Sequence, residues 1–145
     1  MARIYVASSW RCKWQPETVT ALRRAGHEVY DFRHPEPGDR GFGWSEIDPK
    51  WLAWDPATFR ACLEHPRAIE GFNKDMSALR WCDACVCVLP CNRSAHLELG
   101  WACGAGKRTS IFIPEPQEPE LMYRALGAIV IDVRELIEWA DGVAL

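Results

Sequence analysis

Asp83-Ala-Cys-Val-Cys-Val-Leu89 is an almost unbroken apolar run that Pro90 stops. A run this short is no membrane span, and it lacks the polar–apolar alternation of a half-exposed strand. It predicts a strand covered on both faces, and such strands belong to parallel sheets whose crossovers place helices on either side.

The rest of the chain is punctuated to match. Arg3–Ala7 is a short β-branched and aromatic strand that ends in Ser8-Ser9-Trp10. Pro16–Ala25 carries Val19, Leu22 and Ala25 at helical steps, with Pro at its start and Gly26 just past its end. His27–Phe32 reads as the second strand, Thr109–Ile113 as the fourth and Ala128–Ile131 as the fifth. Helices are expected over Pro56–Leu63, Pro66–Trp81, Ala95–Gly106, Glu118–Leu126 and Val133–Ala140. In Pro66–Trp81, the residues Ile69, Phe72, Met76 and Leu79 form one apolar stripe.

Strands alternating with helices predict the α/β class, and 145 residues suffice for a single domain over 1–145. The expected architecture is a flavodoxin-like (Rossmann-like) doubly wound five-stranded parallel sheet in three layers, with strand order 2-1-3-4-5. Ligands bind such sheets at the carboxyl ends of the strands where the order reverses, here between strands one and three. The loops meeting there are Ser8 to Arg11 and Pro90 to His96. Arg33 to Pro56 is rich in Pro, Gly and Asp yet holds Phe42, Trp44, Ile47, Trp51 and Trp54. A flexible linker would not carry that much apolar ring surface. The segment is either a ligand-facing wall or a loop folded around its own aromatics.

Charge narrows the function. Lys and Arg total 17 against 20 Asp and Glu, a formal charge of -3, which argues against binding a nucleic-acid polymer. No run of 18 apolar residues exists, so no membrane association is expected, and Met-Ala-Arg-Ile-Tyr-Val-Ala-Ser-Ser is too soon polar for a signal peptide. A cytoplasmic protein is expected. The seven cysteines (12, 62, 82, 85, 87, 91 and 103) are an odd number in a reducing compartment. Cys82 and Cys85 have a ligand-like spacing but lack a second close pair, and Cys85 and Cys87 alternate inside the apolar run. They read as small buried filler rather than a metal or redox centre.

The chemistry collects before and within the helix after strand three. Asn92, Arg93, Ser94 and His96 crowd just ahead of Glu98, at the reversal point. Ser94 is the expected N-cap, which sets Glu98 at about the end of the first turn. A carboxylate there either complements the helix dipole or serves the crevice. No glycine-rich phosphate loop follows strand one, so no dinucleotide cofactor is expected. Nor is there a G-x-S-x-G elbow for acyl transfer. No metal or organic cofactor is implied.

Ile4-Tyr-Val-Ala-Ser-Ser-Trp10, Gly26-His-Glu-Val-Tyr-Asp-Phe32, Phe72-Asn-Lys-Asp75, Arg93-Ser-Ala-His-Leu-Glu-Leu-Gly-Trp101 and Pro119-Glu-Leu-Met-Tyr123 together resemble the nucleoside 2-deoxyribosyltransferase family. The resemblance touches every core segment in order. It implies a flavodoxin-like fold, cleavage of N-glycosidic bonds, and a homodimer or larger homo-oligomer with active sites at subunit boundaries. By the same resemblance Glu98 corresponds to the nucleophile, Tyr5 to the tyrosine that orients it, and Asp75 to the aspartate that meets the nucleobase. Asn92 stands where deoxyribose-transferring relatives carry an aspartate and nucleotide-cleaving ones a serine. Glu120 falls in the neighbourhood that reaches into the adjacent subunit's site, where transferases set an asparagine against the sugar 5'-hydroxyl and monophosphate hydrolases a serine against the phosphate.

A carboxylate under the anomeric carbon suits this chemistry, since breaking the C1'–N bond builds oxocarbenium character. A second carboxyl can protonate the leaving base. The implied reaction is cleavage of a (deoxy)nucleoside through a covalent glycosyl-glutamate, the sugar passing to another base or to water. Glu120 would accept from a 5'-hydroxyl and repel a phosphate, whereas Arg93, Ser94 and the helix N-terminus suit an anion. Ser8, Trp10, Phe42 and Trp44 complete the expected substrate-binding set, with Trp51 as a further aromatic of the wall. The transferases also use a C-terminal tail from the neighbouring subunit, and a chain ending at Leu145 would lack it, which tilts the outcome towards water. The alternatives are a nucleoside 5'-monophosphate N-glycosidase and a catalytically silent nucleotide-binding module, because fold does not fix function.

Overall fold

The computed structural model describes residues 1–142, so the expected domain limit at Leu145 lies outside the described residues. Two compact units emerge, one from residues 1–31 together with the chain from Leu79 onward, the other from Phe32–Ala78.

The first unit is built on a five-stranded parallel sheet of order β2-β1-β3-β4-β5, with β1 at Arg3–Ala7, β2 at Glu28–Asp31, β3 at Ala84–Val88, β4 at Arg108–Phe112 and β5 at Ala128–Val130. All five residues of β3 are buried, as an apolar run between two helical layers requires. Helices α1 (Gln15–Arg24) and α5 (Val133–Ala140) pack together on one face. The core there joins Ile4, Val6, Val86, Val88 and Val130 to Val19, Leu22, Leu136 and Trp139. Helix α4 (Arg93–Gly104) packs on β1, β3 and β4. Strand residues alternate between faces. Tyr5, Cys85 and Cys87 therefore lie on the face opposite Ile4, Val6 and Val86. Gly127 opens β5 at φ +96°, and a Cβ there would stand 2.1 Å from the Thr109 carbonyl oxygen, so only glycine fits this crossing.

The second unit carries α2 (Pro56–Cys62) and the residues of α3 (Pro66–Trp81) up to Ala78. The segment Phe32–Asp55 is folded around its own rings. Phe42 meets Trp44 edge-on at 4.8 Å, and Trp44 meets Trp54 at 5.7 Å. Asp48 accepts from the Trp54 indole at 2.7 Å. Arg67 on α3 donates to both carboxylate oxygens of Glu46, at 3.1 and 3.2 Å, and to the Gly41 carbonyl at 3.1 Å. Lys74 pairs with Asp39, which lies below the usual carboxylate range chiefly because of that bond.

Element ends differ from the sequence reading by a residue or two, and two differences have physical content. The Glu118–Leu126 helix is a 3-10 turn over Leu121–Ala125. On α3 the apolar stripe is buried only towards its C-terminal end, where Leu79 is shielded and Met76 half-buried. Ile69 and Phe72 are exposed, whereas Ala68, Gly71 and Ala78 are buried. A Cβ at Gly71 would lie 3.1 Å from Phe42 Cβ and Cγ, so the small residues mark the face that admits a ring.

Candidate active site

Strands β1 and β3 are neighbours at the reversal of strand order, paired Tyr5 to Cys85 and Ala7 to Cys87. Ser8 Oγ donates to the Val88 carbonyl at 2.9 Å and ties the two carboxyl ends together. Tyr5 is fully buried and stacks on Tyr30 of β2 at 5.1 Å.

Over this surface lies α4. Its buried residues Ala95, Leu99 and Ala102 face the sheet. Glu98 stands three residues after Ala95 and four before Ala102, which puts it on the same side of the helix. Glu98 is half-buried there. Its charge is felt on β3. Burial above all, then Cys82 and Glu98, drives the Cys85 thiol well above its ordinary range. The Cys87 thiol is raised as well, first by its bond to Cys91 and then by burial, with the charge of Glu98 among the smaller causes. Glu98 thus lies within electrostatic reach of two residues beside Tyr5 in the sheet.

The cap of α4 differs from expectation. Asn92, not Ser94, is the N-cap, and the helix begins at Arg93. Glu98 therefore sits in the second turn. Dipole effects fade beyond the first turn, so complementing the helix terminus does not explain a carboxylate here. The Asn92 side chain makes no capping bond, and Asn92, Arg93 and Ser94 are all exposed.

A polar cluster that the sequence reading missed braces this helix start. His96 Nδ1 lies 2.8 Å from the Asn92 carbonyl oxygen, and Nε2 lies 2.8 Å from the Tyr123 hydroxyl. A carbonyl only accepts, so Nδ1 carries the hydrogen and Nε2 accepts from Tyr123. The two rings also stack at 5.7 Å. Cys91 Sγ stands 3.6 Å from the same Nδ1 and 3.1 Å from Cys87 Sγ. Burial, reinforced by Cys91, Cys87 and Glu120, pushes the Tyr123 phenol up to about 12. His96 and Tyr123 are 27 residues apart, and only the crossing through β4 brings them together. The crowding of polar residues before Glu98 was the one signal of the cluster.

The remaining expected residues are dispersed. Glu120 caps the 3-10 turn, its carboxylate accepting from Met122 N at 2.9 Å. Trp10 is exposed in the first unit. Phe42 and Trp44 are half-buried against each other in the second, where Trp51 is exposed and Asp75 is half-buried on α3. No group of three or more His, Cys, Asp or Glu among the described residues is arranged to hold a metal. No described helix is long and apolar enough to cross a membrane.

No protein-family profile matches the sequence, and no curated protein is significantly similar to it. Solved structures of the same fold include the 2-deoxyribosyltransferase of the psychrotolerant bacterium Bacillus psychrosaccharolyticus, with a TM-score of 0.64 at 22% identity over 94% of this chain and 90% of that one. A conserved protein from Enterococcus faecalis V583 gives 0.61 at 13% identity over 98% of both chains. The CMP N-glycosidase BcmB of Clostridium botulinum gives 0.51 at 16% identity, covering 96% of this chain and 98% of that one. The chain therefore has the flavodoxin-like fold that its strand order spells out.

Proposed function

We propose that this chain cleaves the N-glycosidic bond of a nucleoside, with Glu98 as the group that bonds to the sugar. The observation that carries the reading is the half-buried carboxylate on the sheet side of α4, beside the reversal of β1 and β3. The resemblance around Arg93–Trp101, and the fold shared with a 2-deoxyribosyltransferase and a CMP N-glycosidase, support the same chemistry.

In the proposed reaction a Glu98 carboxylate oxygen attacks C1' as the C1'–N bond breaks. The departing base takes a proton from the Asp75 carboxyl, and the sugar is held as an ester on Glu98. Tyr5 orients the carboxylate. Water or a second base then attacks C1', and Glu98 leaves as a carboxylate. With water the sum is nucleoside plus water giving free sugar and free base. Subunits joined as a homo-oligomer in the cytoplasm, with no cofactor, complete the reading.

Glu120 favours an unphosphorylated sugar, because an exposed carboxylate near a 5'-phosphate is repulsive. A 5'-monophosphate is the second reading, favoured by exposed Arg93 and Ser94 on the first turn of α4. Both are tested by incubating the protein with ribo- and deoxynucleosides and their 5'-monophosphates, with and without an acceptor base, and separating free base by chromatography. Base release that Glu98→Ala abolishes is expected, faster from the nucleoside. Faster release from the monophosphate moves the assignment to the second reading. Ligand-dependent thermal stabilisation without base release would make the chain a binding module.

A further inference from the structure

Four residues along an extended chain span roughly 13 Å. Cys87 and Cys91 are four apart, yet their sulfurs lie 3.1 Å from each other because the chain turns back after β3 through Leu89 and Pro90. Cys87 is buried at the end of β3, and Cys91 is half-buried in the loop that leads into α4. We propose that Cys87 and Cys91 form a reversible oxidation site, at which a small hydroperoxide converts the thiol pair into a disulfide beside Glu98.

Geometry favours closure. A disulfide needs the sulfurs at about 2.05 Å, so the pair must close by only about 1 Å. The division of labour is also built in. Cys91 is the sulfur a small oxidant reaches, and His96 Nδ1, whose hydrogen goes to the Asn92 carbonyl, stands 3.6 Å from it. The thiolate of a cysteine is the form that attacks a peroxide. Cys87 is held as a thiol by its bond to Cys91, by burial and by nearby negative charge, so it plays the resolving part.

The Cys91 thiolate attacks one peroxide oxygen, the O–O bond breaks, and the other oxygen leaves with a proton as water or an alcohol. Cys91 is then a sulfenic acid. The Cys87 sulfur attacks the Cys91 sulfur, the S–O bond breaks, and hydroxide leaves with the Cys87 proton as water. Two thiols are oxidised by two electrons and the peroxide is reduced by two. A dithiol reductant reverses the bond by exchange.

The consequence for activity rests on the glycosidase reading above. Closing the ring over residues 87–91 pulls on the loop that ends at Asn92, the N-cap of α4 and the partner of His96. A small displacement of the first turns of α4 moves Glu98. Misplacement of a reacting group by about 1 Å can cost on the order of 100-fold.

The test oxidises the reduced full chain with hydrogen peroxide, blocks remaining thiols with an alkylating agent, and analyses the tryptic peptide Trp81–Arg93. The expected peptide has lost two hydrogens (about 2 Da), and two of its cysteines escape alkylation. Its backbone fragments between Cys85 and Cys87 but not between Cys87 and Cys91. Dithiothreitol restores all four alkylations, and Cys91→Ser, at a half-buried position, prevents the loss. Base release by the oxidised protein is expected to fall roughly tenfold or more and to recover on reduction. Full alkylation after peroxide, a bond to Cys82 or Cys85 instead, or direct conversion of Cys91 to a sulfinic acid overturns the proposal. Unchanged base release by fully disulfide-bonded protein overturns its link to Glu98. A disulfide in a protein that never releases base would instead defeat the glycosidase reading and leave the oxidation site standing.

Discussion

Around Glu98 the chain is held by main-chain ladders and fully buried apolar residues, whereas Phe32–Asp55 is held by ion pairs, indole bonds and ring edges. In the first region Tyr5, Leu99 and all of β3 are shielded from water, and α4 rests on three strands. In the second, Trp44 and Phe42 are only half-covered, and the links to α3 run through Arg67 and Lys74. Buried packing fixes position to fractions of an ångström and resists small changes. Solvated ion pairs contribute little each and can be broken singly. The role proposed for Glu98 needs the first kind of support.

The sharpest way to break that comparison is to hollow out each region. Leu99→Ala removes a side chain with no exposure from the sheet side of α4 and is expected to cost about 2–5 kcal/mol, read by denaturant or thermal unfolding. A loss under about 1 kcal/mol would mean that α4 is loosely seated. Gly71→Ala crowds Phe42 at 3.1 Å. The crowding penalty of about 1–3 kcal/mol is partly offset by alanine's better helix propensity, about 1 kcal/mol. A net loss near 1 kcal/mol is expected, with Phe42 displaced, measurable by calorimetry. Arg67→Ala should lower stability by less than about 1 kcal/mol. Trypsin should nevertheless cut after Arg40 and Lys50 several times faster while the sites in β1 and α4, at Arg3 and Arg93, are cut no faster. Equal protection in the variant would show that the rings alone hold the segment.

The smallest effect concerns pH. Asp83 accepts from the Arg3 guanidinium at 2.8 Å, and bonds from the Arg3 side chain and backbone lower its carboxyl to about 2. A depressed carboxyl stabilises the fold above its unfolded value of about 4, and that contribution is lost as pH falls towards about 2. Both side chains are well exposed, so the effect at neutral pH is small. Asp83→Asn should flatten the stability profile between these pH values and leave the neutral midpoint almost unchanged. An unaltered acid slope would place the titrating group elsewhere.

These contrasts also explain what the sequence made legible. The strands and the helix after β3 follow from apolar runs and glycine punctuation, which are local, and the strand order from the rule for parallel α/β sheets. Ser94 looked like the cap because hydroxyls prefer that position, but the bend after Pro90 starts the helix at Arg93, and Asn92 takes the place. The α3 stripe is buried at Leu79 and half-buried at Met76, but Ile69 and Phe72 are apolar yet exposed, and there small residues admit Phe42. Cys87 with Cys91, and His96 with Tyr123, meet only after the chain turns or crosses the sheet. Spacing alone could not show either pair.

The central claim is that Glu98 bonds to the sugar as the base departs. A nucleoside bearing fluorine at the sugar 2-position slows loss of such an ester, because fluorine disfavours oxocarbenium character in the second step as well. Mass spectrometry of the protein after brief incubation is expected to find one sugar residue on the tryptic peptide Ser94–Lys107, at Glu98, and none on Glu98→Gln. Free base without any adduct, released as fast by Glu98→Gln as by the unaltered chain, would contradict it.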